Sequence, residues 1–259
     1  YLKLEKHQKS IDSFLKAVEL NSENPVYYKN LGYVYRLIED YDKAIENYQS
    51  ALKLNDEDVN SYNILGSIFL QIEEYFKAIE NFKASLKINN KNEKILNKIA
   101  FAYYNTQDFK LAIENYQKAI ELNNKKPESF KYLGKSYLAE NNLDKAIESL
   151  EQSYKLNETD FEVLHDLGYS YVQKDNYNKA INYLEKAVDI YKQNPDSYRF
   201  LADSYFELKN YSKAIENYNK SELTIILYFT DIGLRPLKRD SRWSKAGKIS
   251  PTGTRSNPM

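Results

Sequence analysis

The tightest constraint on this chain is that it repeats itself. Ala44, Ala78, Ala112, Ala146, Ala180 and Ala214 stand 34 residues apart, each followed by Ile. The same interval joins Gly32, Gly66, Ala100, Gly134, Gly168 and Ala202, and then Tyr35, Phe69, Tyr103, Tyr137, Tyr171 and Tyr205. Six copies without an insertion require one structural unit stacked on its neighbours, because a piece this short cannot bury its apolar face alone. The units run 25–58, 59–92, 93–126, 127–160, 161–194 and 195–228. Residues 1–24 match the second half of a unit, with Phe14 and Ala17 in the places of Tyr48 and Ala51, and read as a truncated unit of a longer array.

Inside a unit, Tyr28, Leu31, Gly32 and Tyr35 follow the i, i+3, i+4, i+7 spacing of an amphipathic helix, and Tyr41, Ala44, Ile45, Tyr48, Ala51 and Leu52 form a second stripe. Polar Glu39 and Asp40 separate the two, and Asn/Asp-rich stretches such as 55–58 join the units. Pro25, Pro127 and Pro195 open first helices, where the missing N–H costs nothing. Each unit is therefore expected to be a helical hairpin, closed tightly by the small residues at Gly32 and Ala44. The 25 Tyr find their explanation here, since most of them fall on the core stripes.

This pattern resembles the tetratricopeptide repeat, carried in the first full unit by Tyr28, Leu31, Gly32, Tyr35, Ala44, Tyr48 and Ala51. The resemblance covers roughly residues 1–224; the terminal Pro of the family unit is mostly absent, and Ser85 and Ser153 replace the last small Ala. It implies an all-α fold, a right-handed superhelical solenoid, whose first helices line a concave groove that binds a peptide segment of a partner.

Composition narrows the function. The chain has 37 Lys+Arg against 37 Asp+Glu, so nucleic acid and anionic membranes have no bulk electrostatic attraction for it. A mean hydropathy of −0.71 argues against a membrane protein. Zero Cys removes thiolate chemistry, and only His7 and His165 offer imidazoles. Phosphate loops, zinc-protease motifs and nucleophile elbows have no counterpart in the sequence, so no metal or cofactor is expected and the chain reads as a non-enzyme. A cytoplasmic setting is the expectation, although a start inside a repeat makes the lack of a leader uninformative.

At about 100° per residue, the first-helix positions opposite the core stripe supply the candidate groove. They are Lys29, Tyr33 and Arg36 in the first full unit, Asn63 in the second, and Lys94, Asn97, Lys98, Phe101 and Tyr104 in the third. Lys131 and Lys135 follow in the fourth, then His165, Asp166 and Tyr169 in the fifth, and Arg199 and Asp203 in the sixth. This reads as a basic middle section giving way to an acidic one, which points to an acidic peptide partner. The family's carboxylate clamp is not expected: Lys29, Lys94 and Lys98 occupy matching places, but Tyr33 and Ile64 replace its two Asn.

Residues 229–259 carry seven Lys/Arg against two Asp, together with Trp243. Either a basic disordered tail or a stretch foreign to the chain fits this switch in composition. A native tail is given a further reading, in which it docks through Trp243 onto the acidic groove section. Before it, Ile225, Ile226, Leu227, Tyr228 and Phe229 are expected to continue the last helix and cover the open end of the array. Two further readings stay open: a regulatory or substrate-recruiting part of a larger enzyme, and self-association through the array ends.

Overall fold

The computed structural model describes residues 2–231, with side chains for residues 5–226. The tail beyond residue 231, with Trp243 and the docking reading attached to it, lies outside the described residues. Among the described residues there are thirteen helices and no strand. A lone α1 (Leu2–Leu20) is followed by six hairpins: α2 (Pro25–Leu37) with α3 (Tyr41–Leu54), α4 (Val59–Gln71) with α5 (Tyr75–Ile88), and α6 (Glu93–Asn105) with α7 (Phe109–Leu122). They continue as α8 (Pro127–Ala139) with α9 (Leu143–Leu156), α10 (Phe161–Gln173) with α11 (Tyr177–Ile190), and α12 (Pro195–Glu207) with α13 (Tyr211–Asp231).

The expected closeness of each hairpin has a measurable cause. A Cβ built on Gly32 would lie 2.8 Å from the Tyr48 ring and 3.2 Å from the Ala44 carbonyl, and one on Gly168 would lie 2.4 Å from Leu184 Cγ. The opposing Ala44 and Ala180 are themselves fully buried. Ser153, in the last small place of its unit, keeps the packing by donating its hydroxyl to the Pro127 carbonyl at 2.8 Å. Ser85 is buried in the corresponding place.

Buried apolar side chains form two bodies, from Ile11 to Ala146 and from Ile147 to Ala214. Leu138 packs against both and makes the core one line along the solenoid. Each second helix packs on the first helix of the next unit, and first helices also meet directly, α6 with α8, α8 with α10 and α10 with α12. Those direct contacts place the first helices on the inner side of the curve.

The hairpin turn was not legible in the sequence. Glu39, Glu73, Gln107, Asn141, Asp175 and Lys209 all adopt left-handed backbone, with φ between 54° and 62°. Each closes a helix C-terminus in the Schellman manner: Glu39 N–H donates to the Arg36 carbonyl, and Asp40 N–H to the Tyr35 carbonyl. Glycine usually marks such a position, and here none does.

Both ends of the array depart from the repeat. α1 stays helical through Glu5 and Lys6, where full units place their turn. α13 runs on through Ile225 and Ile226 to Asp231, as expected; Ile225 and Ile226 are exposed, and the side chains of Leu227, Tyr228 and Phe229, which share the covering expectation, lie outside the described residues. No helix among the described residues is long and apolar enough to cross a membrane.

Candidate interaction groove

The innermost helix positions turn out to serve two different tasks. In the row Lys29, Asn63, Asn97, Lys131, His165 and Arg199, four members, Lys29, Asn97, Lys131 and His165, bond to the N-terminal end of the next first helix, whereas Arg199 turns to Asp196 of its own helix. Lys29 Nζ lies 2.8 Å from Asp58 Oδ2, and Lys131 Nζ lies 3.1 Å from Asp160 Oδ2. Ser129 donates to Asn97 Oδ1 at 2.7 Å, and His165 Nδ1 meets the Ser197 hydroxyl at the same distance. In the second full unit the equivalent tie is missing: Ile95 stands where the serine would be, and Asn63 Oδ1 has no hydrogen-bond partner. These side chains tie successive units together, a role invisible to a reading that treated them only as groove lining.

The basic section therefore divides. Lys131 also reaches Glu162 at 3.3 Å, while Lys135 reaches Glu162 at 2.9 Å and Asp166 at 3.9 Å. Burial alone would depress the Lys131 ammonium, but the hydrogen bond to Asp160 and the charges of Asp160 and Glu162 outweigh it and hold the group above its usual range. Lys135 behaves likewise, burial being outweighed by Asp166 and Glu162. The two lysines of α8 and the carboxylates at the start of α10 thus neutralise each other across the unit boundary. The predicted change of sign along the groove is there in sequence, but in space it is largely an internal ion-pair network. Asp166 is its strained member: burial pushes the carboxyl up to about 6, and its Oδ2 lacks a hydrogen bond.

Lys94 and Lys98 are different. Among the described residues neither pairs with a carboxylate. Lys98 donates to the Ser67 hydroxyl at 2.7 Å and lies over the Phe82 ring. Burial, with the nearby Lys94 charge adding to it, pushes the Lys98 ammonium below its usual range. With Asn97, Phe101, Ser129 and Tyr132, these lysines line a concavity of about 480 Å³ between α6, α7 and α8. Tyr132 meets Phe101 edge-on at 5.4 Å between centroids and Tyr104 at the same separation.

Other predicted groove residues lie apart from this concavity. Tyr33 is exposed beneath the Arg36 guanidinium. Tyr169 packs against Phe200, as does His165, whose ring burial pushes below its usual range. Arg199 pairs with Asp196 at 3.0 Å, and Asp203 accepts the Tyr218 hydroxyl. No group of three or more His, Cys, Asp or Glu among the described residues is arranged to hold a metal ion.

Sequence reasoning missed Tyr116, which also lines the concavity. It stands on the second-helix core stripe, so periodicity assigns it to packing, and nothing in the sequence marks its hydroxyl as unpaired. In the structure that hydroxyl has no hydrogen-bond partner, although the side chain is only 2% exposed.

Comparison with known proteins agrees with this architecture. No curated protein matches the chain. Among solved structures, YrrB, described as a TPR protein with an unusual peptide-binding site, is 25% identical over 70% of this chain and 94% of its own, with a TM-score of 0.62. A MamA structure is also 25% identical, covering 63% of this chain and 95% of its own at a TM-score of 0.61. The C-terminal part of a TPR repeat-containing protein from Cytophaga hutchinsonii shares the fold at a TM-score of 0.70, with 19% identity over 85% of this chain and 90% of its own. Sequence profiles of the tetratricopeptide repeat match residues 1–24, 25–58, 59–92, 93–126, 133–160 and 160–222. With profile matches over most of its length and six stacked hairpins behind them, the chain belongs to the tetratricopeptide repeat family.

Proposed function

We propose that the chain is a non-catalytic protein-interaction scaffold that holds an acidic peptide segment of a partner along its inner face. The observation that carries this reading is the pair Lys94 and Lys98, two ammonium groups without a carboxylate partner among the described residues, beside half-buried Phe101 and Tyr104. Elsewhere on the inner face Lys29, Lys131 and Lys135 are already compensated. Aromatic surface next to uncompensated charge is the composition of a recognition patch. The likeness to YrrB, itself described by a peptide-binding site, supports the assignment.

The test is affinity for acidic peptides selected on the immobilised full chain. Binding should weaken steeply with salt, because exposed charges are screened within about 8 Å at physiological ionic strength. The K94E/K98E double variant should lose it, and retained, salt-insensitive affinity in that variant would overturn the proposal. Self-association through the array ends is a second reading, favoured by exposed Ile215 and Leu223 on α13. Mass rising with concentration in light scattering is the result that reading requires.

A further inference from the structure

The concavity between α6, α7 and α8 is defined by what its lining has left to offer an occupant. Ser129 spends its hydroxyl on Asn97 Oδ1 at 2.7 Å, and the Asn97 amide nitrogen donates to the Glu93 carbonyl at 3.0 Å. Lys126 is spoken for by Glu93 at 2.5 Å. The Tyr116 hydroxyl is shut off from solvent. With these polar groups spent or closed, the wall is mainly apolar, and half-buried Phe101 and Tyr132 supply its rings. The two rings meet edge-on, which braces them against each other.

Charge remains on the α6 side. Lys94 is exposed in the first turn of α6, and Lys98, one turn further on, spends one N–H on Ser67 and keeps two. Glu128, exposed at the start of α8, is the one acid of the lining, so two uncompensated ammonium groups face a single carboxylate across the opening.

We infer that this concavity is an anchor pocket for one large apolar side chain of an acidic segment, whose neighbouring carboxylates sit against Lys94 and Lys98. The inference rests on the scaffold reading above and adds to it the residue that fixes the register of the segment. The apolar side chain leaves water for a wall that asks for no hydrogen bond, whereas a polar side chain of similar size would lose its water partners there and gain none. The flanking acids meet the ammonium groups at the α6 edge, where opposite charge orients the segment.

Calorimetric titration of the full chain tests this. The probes are Glu-Glu-Phe-Glu-Glu and its counterparts with Ala or Gln at the centre, all acetylated and amidated so that no terminal charge can act. The Phe peptide should bind roughly tenfold to a hundredfold more tightly than the Ala peptide, the gain expected from burying one aromatic side chain, and the Gln peptide should bind no better than Ala. Phe101→Ser removes one ring of the wall and should cut the Phe advantage severalfold, while the Ala peptide keeps its affinity and its salt dependence. The comparison of the three peptides on the parent chain stands whether or not that variant folds. Equal binding of the three, a Gln peptide that matches Phe, no binding of any probe, or a Phe advantage that survives Phe101→Ser in full would overturn the pocket. If equal binding still weakens in K94E/K98E, the acidic-groove reading stands without the pocket. A Phe preference untouched by K94E/K98E would overturn the acidic reading and, with it, the flanking contact on which this inference stands.

Discussion

Lys131 and Lys94 occupy the same inner face, yet the structure gives them opposite duties. Lys131 compensates Asp160 and Glu162, so Lys131→Met should destabilise the fold by roughly 1–3 kcal/mol, the range expected when one partner of a partly buried pair is removed. Lys94 is solvent-exposed, so Lys94→Met should leave the melting temperature unchanged and weaken acidic peptides. Chemical denaturation and peptide titration of the two variants separate these outcomes. Asp166 gives a pH-dependent prediction. Its carboxyl is raised to about 6 from the ordinary 3.8, chiefly by burial; the Lys135 and Lys131 charges oppose the rise, and those of Glu162 and Asp160 add to it. A folded-state pKa above the unfolded one favours the native state only while the proton is bound, so this contribution is complete below about pH 4 and is lost as pH rises through 6. Asp166→Asn should therefore be more stable than the parent at pH 7, by roughly 1–3 kcal/mol at 1.4 kcal/mol per unit, with the gap closing by pH 4. Urea midpoints measured across that range check it; a constant gap would contradict the burial argument. The candidate site was legible as a set of positions, because Lys94, Asn97, Lys98 and Phe101 do line one concavity. The partners were not, since each tie joins residues 27 to 32 apart that only stacking brings together.

At the scale of the helix pair, one residue does the work of two caps. Asp40 donates its backbone N–H to the Tyr35 carbonyl and finishes α2, while its side chain accepts from Lys43 N–H and starts α3. Asn142, Asn176 and Asn210 repeat both bonds in their own units. The helices and their small-residue contact were readable from the 3.6-residue stripes, whereas the left-handed turn residue was not, because the chain places Glu, Gln, Asn, Asp or Lys there. Gln107→Gly should stabilise the protein by up to about 1 kcal/mol: relief of left-handed strain is worth roughly 1–2 kcal/mol, and the added freedom of the unfolded chain takes part of it back. Thermal melts of that variant beside Gln107→Ala, expected to show no gain, check the claim.

Across the whole molecule, stability is a sum of units and the interfaces between them. Ala112 is fully buried between α6 and α7 at the middle of the array, so Ala112→Leu should cost about 1–3 kcal/mol through overpacking. The damage should not stay local. Hydrogen exchange should accelerate first in α6 and α7, then in α5 and α8, and last at the distant ends; uniform acceleration would mean that the array behaves as one cooperative block.

The turn described above also has a mechanical consequence. In the first, fourth, fifth and sixth full units, where a single residue caps both helices, the hairpin has no slack, and an added or deleted residue would break either the last turn of one helix or the first of the next; Glu74 and Asp108 close the second and third units without the side-chain bond. The doubly capped units are thus stiff elements, and bending of the solenoid concentrates at the joints between units. Those joints are not alike: the one between the fourth and fifth full units is cross-braced on its inner face by Lys131 and Lys135 against three carboxylates, while the one between the second and third has Lys98 on Ser67 and Lys83 on the Tyr103 hydroxyl and leaves the Asn63 amide oxygen unpaired among the described residues. Under load, the array is a spring of unequal coils, whose resistance at each joint is set by the ties that cross it.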